Sequence, residues 1–71
     1  MDKKIIDEYF LIFSKGEIYS KAILDTERLL IEKALEYSSG NQIIAAKILG
    51  MNRNTLRTKI KKLNIDIKVY K

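Results

Sequence analysis

The sequence predicts an all-α fold with four helices. Apolar residues recur at helical spacing along most of the chain, no segment shows the sustained period-2 alternation of a strand, and there is no proline. With 71 residues the chain is expected to form a single domain around one small core. A core of this size rarely provides more than about 3–5 kcal/mol of net stability, so a second copy of the chain is the expected supplement.

The first predicted helix runs from Lys3 to Phe13. Asp2 precedes it as an N-cap, and Gly16 follows its end, where glycine accommodates the reversal of the backbone. One broad face collects the apolar side chains of Ile5, Ile6, Tyr9, Phe10, Ile12 and Phe13. This face is wider than one contact between two helices requires.

The second predicted helix begins after an N-cap at Ser20 and continues to about Ser38, with Gly40 as its stop. Its apolar stripe consists of Ile23, Leu24, Leu30, Ile31, Ala34 and Leu35. Glu27 interrupts that stripe, which leaves two interpretations open. Its carboxylate borders the core, or it pairs with a cation from another element or from a second chain.

Two amphipathic helices joined by a short loop form a hairpin, here residues 1–39. The excess apolar surface of the first helix indicates that two such hairpins pack as a four-helix bundle, which would make the protein a homodimer. The predicted dimer interface comprises Ile5, Ile6, Tyr9, Phe10, Phe13, Ile23, Leu30, Ile31 and Ala34.

Residues 40–64 follow the pattern of a helix-turn-helix. The third helix is predicted from Gln42 to Leu49 and the fourth from Arg53 to Leu63, with Asn41 and Asn52 as their N-caps. The turn between them contains Gly50, which can adopt the positive φ of an abrupt helix end.

The spacing of small and large apolar residues supports this assignment. Ala46 is small enough to let the two helices approach closely, and Leu56 can fill the space between them. Leu56, Ile60 and Leu63 recur at i, i+4 and i+7, so they are predicted to face the core. The tail, residues 65–71, has weak alternation and no helix stop, so we expect it to be irregular or loosely docked.

Positive charge is concentrated on the predicted helix-turn-helix. Residues 1–40 contain six Lys or Arg and eight Asp or Glu, net −2, whereas residues 41–71 contain eight and one, net +7. No acidic residue lies between Asn41 and Ile65, although a merely solvated helix face normally mixes both signs. The pattern favours nucleic acid as partner over an anionic membrane, because the charges cluster on a folded motif.

The absence of histidine and cysteine removes the usual general base, thiol nucleophile and transition-metal ligands. We therefore expect no enzyme activity, metal, cofactor or small-molecule substrate. No apolar run reaches the roughly 20 residues that span a bilayer, and the N-terminus lacks a signal-peptide core. A cytoplasmic protein without a membrane partner is expected.

Double-stranded DNA is the expected partner, because an α-helix fits the major groove and its first turn reaches base edges. We predict base contacts from Asn52, Arg53 and Arg57, since an arginine fork can bind guanine N7 and O6 together. Contacts to the DNA backbone are predicted from Asn41, Gln42, Asn54, Thr55, Thr58, Lys59, Lys61 and Lys62.

Two pairs of these or nearby residues have competing interpretations. Asn41 and Gln42 either only cap the third helix or also bind a phosphate at its N-terminus. Tyr19 and Tyr37 lie at the ends of the second helix, where they are expected to pack partly buried rather than to stack on bases.

The stretch GNQIIAAKILGMNRNTLRTKIKKL, residues 40–63, resembles the helix-turn-helix of Fis, and equally the Fis-type C-terminal domain of NtrC-like activators of sigma-54 promoters. The resemblance implies a two-fold homodimer with intertwined hairpins, which presents two recognition helices to a bent DNA site. A two-fold dimer in turn predicts an inverted-repeat site. The resemblance also implies DNA contacts from Asn52, Arg53, Thr55 and Arg57, and a backbone contact from Asn41.

Departures from Fis affect the functional expectation. Ile43 and Ile44 stand where Fis has a Thr-Arg pair, and Thr58 stands where it has a lysine, so we expect weaker non-specific compaction of DNA. No β-hairpin segment precedes the first helix, and there is no Walker-type glycine-rich loop.

We therefore expect the C-terminal domain of an NtrC-type activator, excised from its other modules, which anchors the activator at enhancer sites in the bacterial nucleoid. A self-contained Fis-like nucleoid protein that bends DNA is the alternative. A pure helical dimerisation module is an alternative of another class.

Overall fold

The computed structural model describes residues 2–71 and confirms the all-α fold. Its elements are α1 (Lys3–Ile12), α2 (Ile18–Tyr37), α3 (Gln42–Leu49), α4 (Arg53–Lys62) and a C-terminal 3₁₀ helix (Ile67–Tyr70). No strand occurs within this described part of the chain. The molecule is elongated, with extents of 37 × 22 × 20 Å.

Helix α1 begins as predicted and α2 does not. The Asp2 carboxylate accepts a hydrogen bond of 2.6 Å from the backbone N–H of Lys4, so it caps α1. The N-cap of α2 is Glu17 rather than Ser20. The reason lies in the preceding turn: the Glu17 N–H donates to the Ser14 carbonyl at 3.0 Å, and the Glu17 carbonyl already accepts the first helical bond.

The two helices of the helix-turn-helix begin at the predicted residues, and α4 ends at Lys62 with Leu63 as its C-cap. Asn41 caps α3 and Asn52 caps α4 through their side-chain oxygens. Gly50 has φ +72, the left-handed conformation predicted for it. The next N–H, of Met51, closes the end of α3 on the Ala46 carbonyl at 3.0 Å.

The hydrophobic core lies between the C-terminal half of α2, both helices of the helix-turn-helix and the start of the tail. It consists of Ile31, Ala34, Leu35, Ala45, Ala46, Leu56, Ile60, Leu63 and Ile65. The three predicted inward residues of α4 are among them. Helix α1 contributes no buried residue.

The tail is more ordered than predicted. Ile65 is buried in the core, and Ile67 and Tyr70 pack against it. Asp66 caps the 3₁₀ helix, because its carboxylate accepts a bond of 3.0 Å from the Lys68 N–H. Of the two expected states of the tail, irregular or loosely docked, the irregular one was wrong, because apolar residues at 65, 67 and 70 anchor the segment while Asp66 fixes its turn.

The hairpin of α1 and α2 is held by few contacts. The Tyr9 hydroxyl donates to the Asp25 carboxylate at 2.6 Å. The rings of Tyr9 and Phe13 stack with centroids 5.4 Å apart, and the Lys21 ammonium lies 5.8 Å from the Phe13 centroid. In the described residues no helix is long and apolar enough to cross a membrane.

A wide apolar surface remains uncovered on the hairpin. Its most exposed members are Phe10, Ile12, Leu29 and Leu30, with exposed fractions of 55–72%. Ile5, Ile6 and Ile23 are also exposed.

Two residues assigned to the dimer interface lie elsewhere. Ile31 and Ala34 are only 1% and 2% exposed, because α3 and α4 of the same chain cover that part of α2. They therefore belong to the core of one protomer. Tyr19 and Tyr37, expected to be partly buried, are exposed in the single chain, and Tyr37 is approached by the Lys33 ammonium instead.

Candidate nucleic-acid interface

Helix α4 has one apolar and one polar side. Leu56 and Ile60 are buried, whereas Asn54, Arg57 and Lys61 are exposed. Asn52, Arg53, Thr55, Thr58 and Lys62 are exposed as well. The apolar side holds the helix on the core, so the exposed polar residues are accessible to a ligand as large as a DNA duplex.

Two contacts from α2 fix α4 in place. The Arg28 guanidinium donates a bond of 2.7 Å to the Leu63 carbonyl at the end of α4. The Glu27 carboxylate pairs with the Lys59 ammonium at 3.0 Å, and both side chains are about two-thirds buried. Of the two interpretations of Glu27, the structure therefore shows pairing with a cation from another element.

The ion pair indicates a structural role for Lys59, which was predicted to contact the DNA backbone. Its side chain lies on the flank of α4 that faces α2, opposite the flank that carries Arg53 and Arg57. With its ammonium held by Glu27, Lys59 positions α4 on α2 instead of extending toward DNA. The sequence contained the relevant signal, since Glu27 was an acid within an apolar stripe.

A cationic groove runs between the start of α3 and the exposed flank of α4. It has a volume of about 510 Å³ and is lined by Gly40, Asn41, Gln42, Ile43, Arg53, Arg57 and Lys71. Three of these side chains are cationic and none is acidic. We use the name cationic groove for this set of residues below.

The helix caps leave donors free for a ligand. The Asn41 side-chain oxygen accepts from the N–H groups of Ile43 and Ile44 at 3.0 and 3.1 Å. The Asn52 oxygen accepts from the Asn54 N–H at 2.7 Å. In both side chains the amide NH₂ stays available, so capping and a contact to DNA are compatible.

Thr58 is differently placed. Its hydroxyl donates a bond of 3.0 Å to the Asn54 carbonyl one turn earlier. A phosphate oxygen is only an acceptor, so the observed Thr58 rotamer has no proton left to offer it. A contact from Thr58 to the DNA backbone requires another rotamer.

The structure brings four of the predicted DNA-contacting residues together. Asn41, Gln42, Arg53 and Arg57 come together in the cationic groove. Lys61 and Lys62 lie farther along α4, and Lys62 lines a separate pocket near Arg28 and Lys21. Lys71 was not predicted from the sequence, because a tail expected to be irregular or loosely docked gave no reason to place it beside α3.

Comparison with known proteins identifies the family. Residues 23–63, more than half of the chain, match the family model described as "Bacterial regulatory protein, Fis family". The chain belongs to the Fis family. The resemblance found in the sequence is thereby confirmed.

Two kinds of relatives are similar to the chain. One is the DNA-binding transcriptional regulator NtrC of Azospirillum brasilense, 41% identical over 87% of this chain and 14% of that protein. NtrC of Rhizobium meliloti is 46% identical over 84% of this chain and 13% of its own length. The other kind is the DNA-binding protein Fis of Buchnera aphidicola from Schizaphis graminum, 34% identical over 90% of this chain and 69% of Fis.

No solved structure matches the chain at a significant level. The chain spans about one seventh of the length of the NtrC relatives and about two-thirds of the length of Fis from Buchnera aphidicola. It is a helix-turn-helix domain of the Fis family.

Proposed function

We propose that the chain binds double-stranded DNA in a sequence-specific manner as a homodimer, and that it anchors an NtrC-type activator of sigma-54 promoters at enhancer sites. The observation that carries the proposal is the cationic groove beside the exposed flank of α4, which contains Arg53 and Arg57 and no acidic side chain. Clustered arginines on a supported helix are the arrangement that DNA readout requires.

Arg53 and Arg57 carry base recognition in this proposal. They lie one helical turn apart on the same flank of α4, so both reach into one groove of a duplex. Each guanidinium can donate two parallel bonds to guanine N7 and O6. Asn52 supports them from the N-cap with its free NH₂ group.

Phosphate contacts come from the residues that flank these two arginines. Asn41 and Gln42 lie at the start of α3 on the other wall of the cationic groove. Thr55, Lys61 and Lys62 are exposed on the remaining polar surface of α4. They determine register and charge rather than base preference.

The homodimer is supported by the uncovered apolar surface of the hairpin. Its interface consists of Ile5, Ile6, Tyr9, Phe10, Phe13, Ile23, Leu29 and Leu30. Contiguous apolar surface of this kind is typical of an interface in a small helical domain. A two-fold dimer presents two copies of α4 symmetrically, so the DNA site is an inverted repeat, bent between its half-sites.

The choice of an NtrC-type activator rests on similarity to relatives that are much longer than this chain. NtrC proteins from three organisms are 41–48% identical to it, compared with 34–41% for Fis from several others. The second candidate, a self-contained Fis-like protein that bends DNA, is favoured by the 69% of Fis that the chain covers.

Selection of binding sites from random DNA, followed by titration of Arg53→Ala, tests recognition. We expect an inverted repeat, and we expect Arg53→Ala to lose about 1–3 kcal/mol on that site with a relaxed preference at one position per half-site. Lys33→Ala is the matched control, because Lys33 is an exposed cation of α2 outside the cationic groove. Equal losses for Arg53→Ala on selected and random DNA would contradict base recognition.

The number of chains per site and the shape of the DNA test the dimer. A circular-permutation mobility assay on symmetric and half-site duplexes should show bending and much tighter binding of two chains to the full site. Binding of one chain to a half-site with the full-site affinity would rule out the symmetric mechanism. Failure to select any sequence, with tight binding to all DNA, would favour the nucleoid protein, and absence of DNA binding would leave a dimerisation module.

A further inference from the structure

The C-terminal tail forms part of the candidate DNA interface, although no sequence pattern assigned it a function. Its last residue, Lys71, lines the cationic groove together with Arg53 and Arg57. The tail thus adds a third wall to a groove that α3 and α4 form on the other sides. This placement follows from how the tail is docked.

The docking of the tail depends on apolar anchors. Ile65 is 8% exposed in the core, and Ile67 and Tyr70 pack against the same core. Partial burial, followed by the nearby carboxylates of Glu32 and Glu36, raises the pKa of the Tyr70 phenol. Tyr70 therefore lies against α2, and the residue after it is brought to the turn between α2 and α3.

Gly40 makes the close approach of Lys71 possible. It is buried at the turn with φ +83, and a Cβ at this position would lie 2.9 Å from Lys71 Cγ and 3.5 Å from the Lys71 nitrogen. The contact with the Lys71 side chain is closer than a Cβ tolerates. A glycine at position 40 therefore both ends α2 and leaves room for the tail.

We propose that the docked tail holds Lys71 as a phosphate-binding residue of the DNA interface, on the same strand that Asn41 contacts. This inference rests on the proposed function of the cationic groove. Asn41 follows Gly40 directly and lines the groove with Lys71, so one phosphate group can meet the Asn41 amide and the Lys71 ammonium together. Because Arg53 and Arg57 are directed to bases, the phosphate contacts are made at the rim of the groove, where Asn41 and Lys71 lie.

The test compares two lysines of the tail in the full chain. Lys71→Gln removes the ammonium from the cationic groove, and Lys68→Gln removes the same charge from a residue that is exposed but does not line the groove. The two variants are otherwise identical. Binding to one selected duplex is measured by fluorescence anisotropy across a series of salt concentrations.

Loss of one phosphate contact lowers the salt slope by about 0.9 per protomer, which corresponds to about fivefold weaker binding per protomer at 0.15 M salt. We expect this change for Lys71→Gln, on selected and random DNA alike, and less than about a twofold change for Lys68→Gln. Equal changes for the two variants, or an unchanged slope for Lys71→Gln, would overturn the inference.

Arg53→Ala distinguishes a failure of this inference from a failure of the proposed function. If wild type depends on Arg53 for specific binding while Lys71→Gln behaves as wild type, only the role of Lys71 is wrong. If Arg53→Ala has no effect either, the cationic groove does not bind DNA and the proposed function fails with it.

Tyr70→Ala tests whether docking of the tail positions Lys71. It should lower the salt slope as much as Lys71→Gln does, because it releases the tail. A wild-type slope for Tyr70→Ala would show that docking is irrelevant.

Discussion

The two ends of the molecule differ in how completely one chain can fold them. From Ile31 to Ile65 the chain forms a closed core of nine buried apolar residues, which joins α2, α3, α4 and the tail. Helix α1 buries none, and Phe10 and Ile12 are 65% and 72% exposed. The comparison indicates that the helix-turn-helix is complete in one protomer, whereas the hairpin needs a second surface to cover it.

The two halves of α2 have different roles. Its C-terminal half contributes Ile31, Ala34 and Leu35 to the core, while its N-terminal half carries the exposed Ile23 on the side of the hairpin. A single helix of 20 residues therefore connects the proposed dimer bundle to the element that carries α4. Because Glu27 and Arg28 both hold α4, the spacing of two α4 helices in a dimer depends on α2.

Truncation of a leucine in each region should separate the two regions most clearly. Leu56→Ala, at a residue that is 0% exposed, should lower the free energy of unfolding by about 2–5 kcal/mol because it leaves a cavity. The same substitution at Leu11, outside the predicted apolar face of α1, should change it by no more than about 0.5 kcal/mol. Urea denaturation followed by circular dichroism measures both; equal losses would remove the distinction between the regions.

A charge on α1 should affect association rather than folding of the helix-turn-helix. Phe10→Glu should remove the roughly 1.5–3 kcal/mol that burial of one aromatic side chain provides in each protomer of a dimer. Sedimentation equilibrium should therefore show a weaker dimer, and wild type should have a thermal midpoint that rises with protein concentration.

Leu11→Glu is the matched control for that experiment, because it places the same charge on the neighbouring residue of the same helix. It should leave most of the association intact. A wild-type chain that stays monomeric at micromolar concentration would show that the apolar surface of the hairpin has another partner.

The sequence predicts the helix-turn-helix better than the hairpin for a physical reason. Asn41, Gly50 and Asn52 act locally, because a cap or a left-handed glycine ends a helix wherever it stands. The predicted start of α2 was wrong. Ser20 has the chemistry of an N-cap, but the turn before Glu17 already begins the helix. The capping propensity of Ser20 was outweighed by the hydrogen bonds that Glu17 makes earlier in the chain.

Long-range contacts were the part that periodicity could not supply. An apolar stripe shows that Ile31 and Ala34 are buried, but not whether its own chain or a second chain covers them. Lys59 was assigned to DNA because its charge is typical of that role, whereas the approach of Glu27 from α2 indicates a role in positioning α4. Lys71 was missed because its position depends on a tail that folds back over Gly40.

Lys59 and Lys61 should differ in kind, although both are cations of α4. Lys59→Gln should lower the free energy of unfolding by about 0.2–1 kcal/mol, since it breaks a partly exposed ion pair with Glu27. It should leave the salt dependence of DNA binding almost unchanged. Lys61→Gln should do the reverse, with unchanged stability and a salt slope lower by about 0.9. Parallel urea and anisotropy titrations check both, and a lower salt slope for Lys59→Gln would restore its assignment to the DNA backbone.

The smallest expected effect lies in the hairpin and depends on pH. The hydrogen bond donated to Asp25, followed by partial burial and repulsion from the same carboxylate, raises the pKa of Tyr9 above its usual value. The folded state therefore favours the neutral phenol, so its stabilising contribution is complete below about pH 10 and is lost as the pH rises through the folded pKa. Tyr9→Phe should remove the part of the alkaline pH dependence of stability that comes from Tyr9, and Asp25→Asn should lower the pKa of Tyr9 toward its usual value.

Tyr19→Phe is the control, because Tyr19 is 79% exposed. NMR titration of the Tyr9 ring measures its pKa, and a Tyr9 resonance that titrates at the usual value for tyrosine would show that α1 is not held on α2 by this bond.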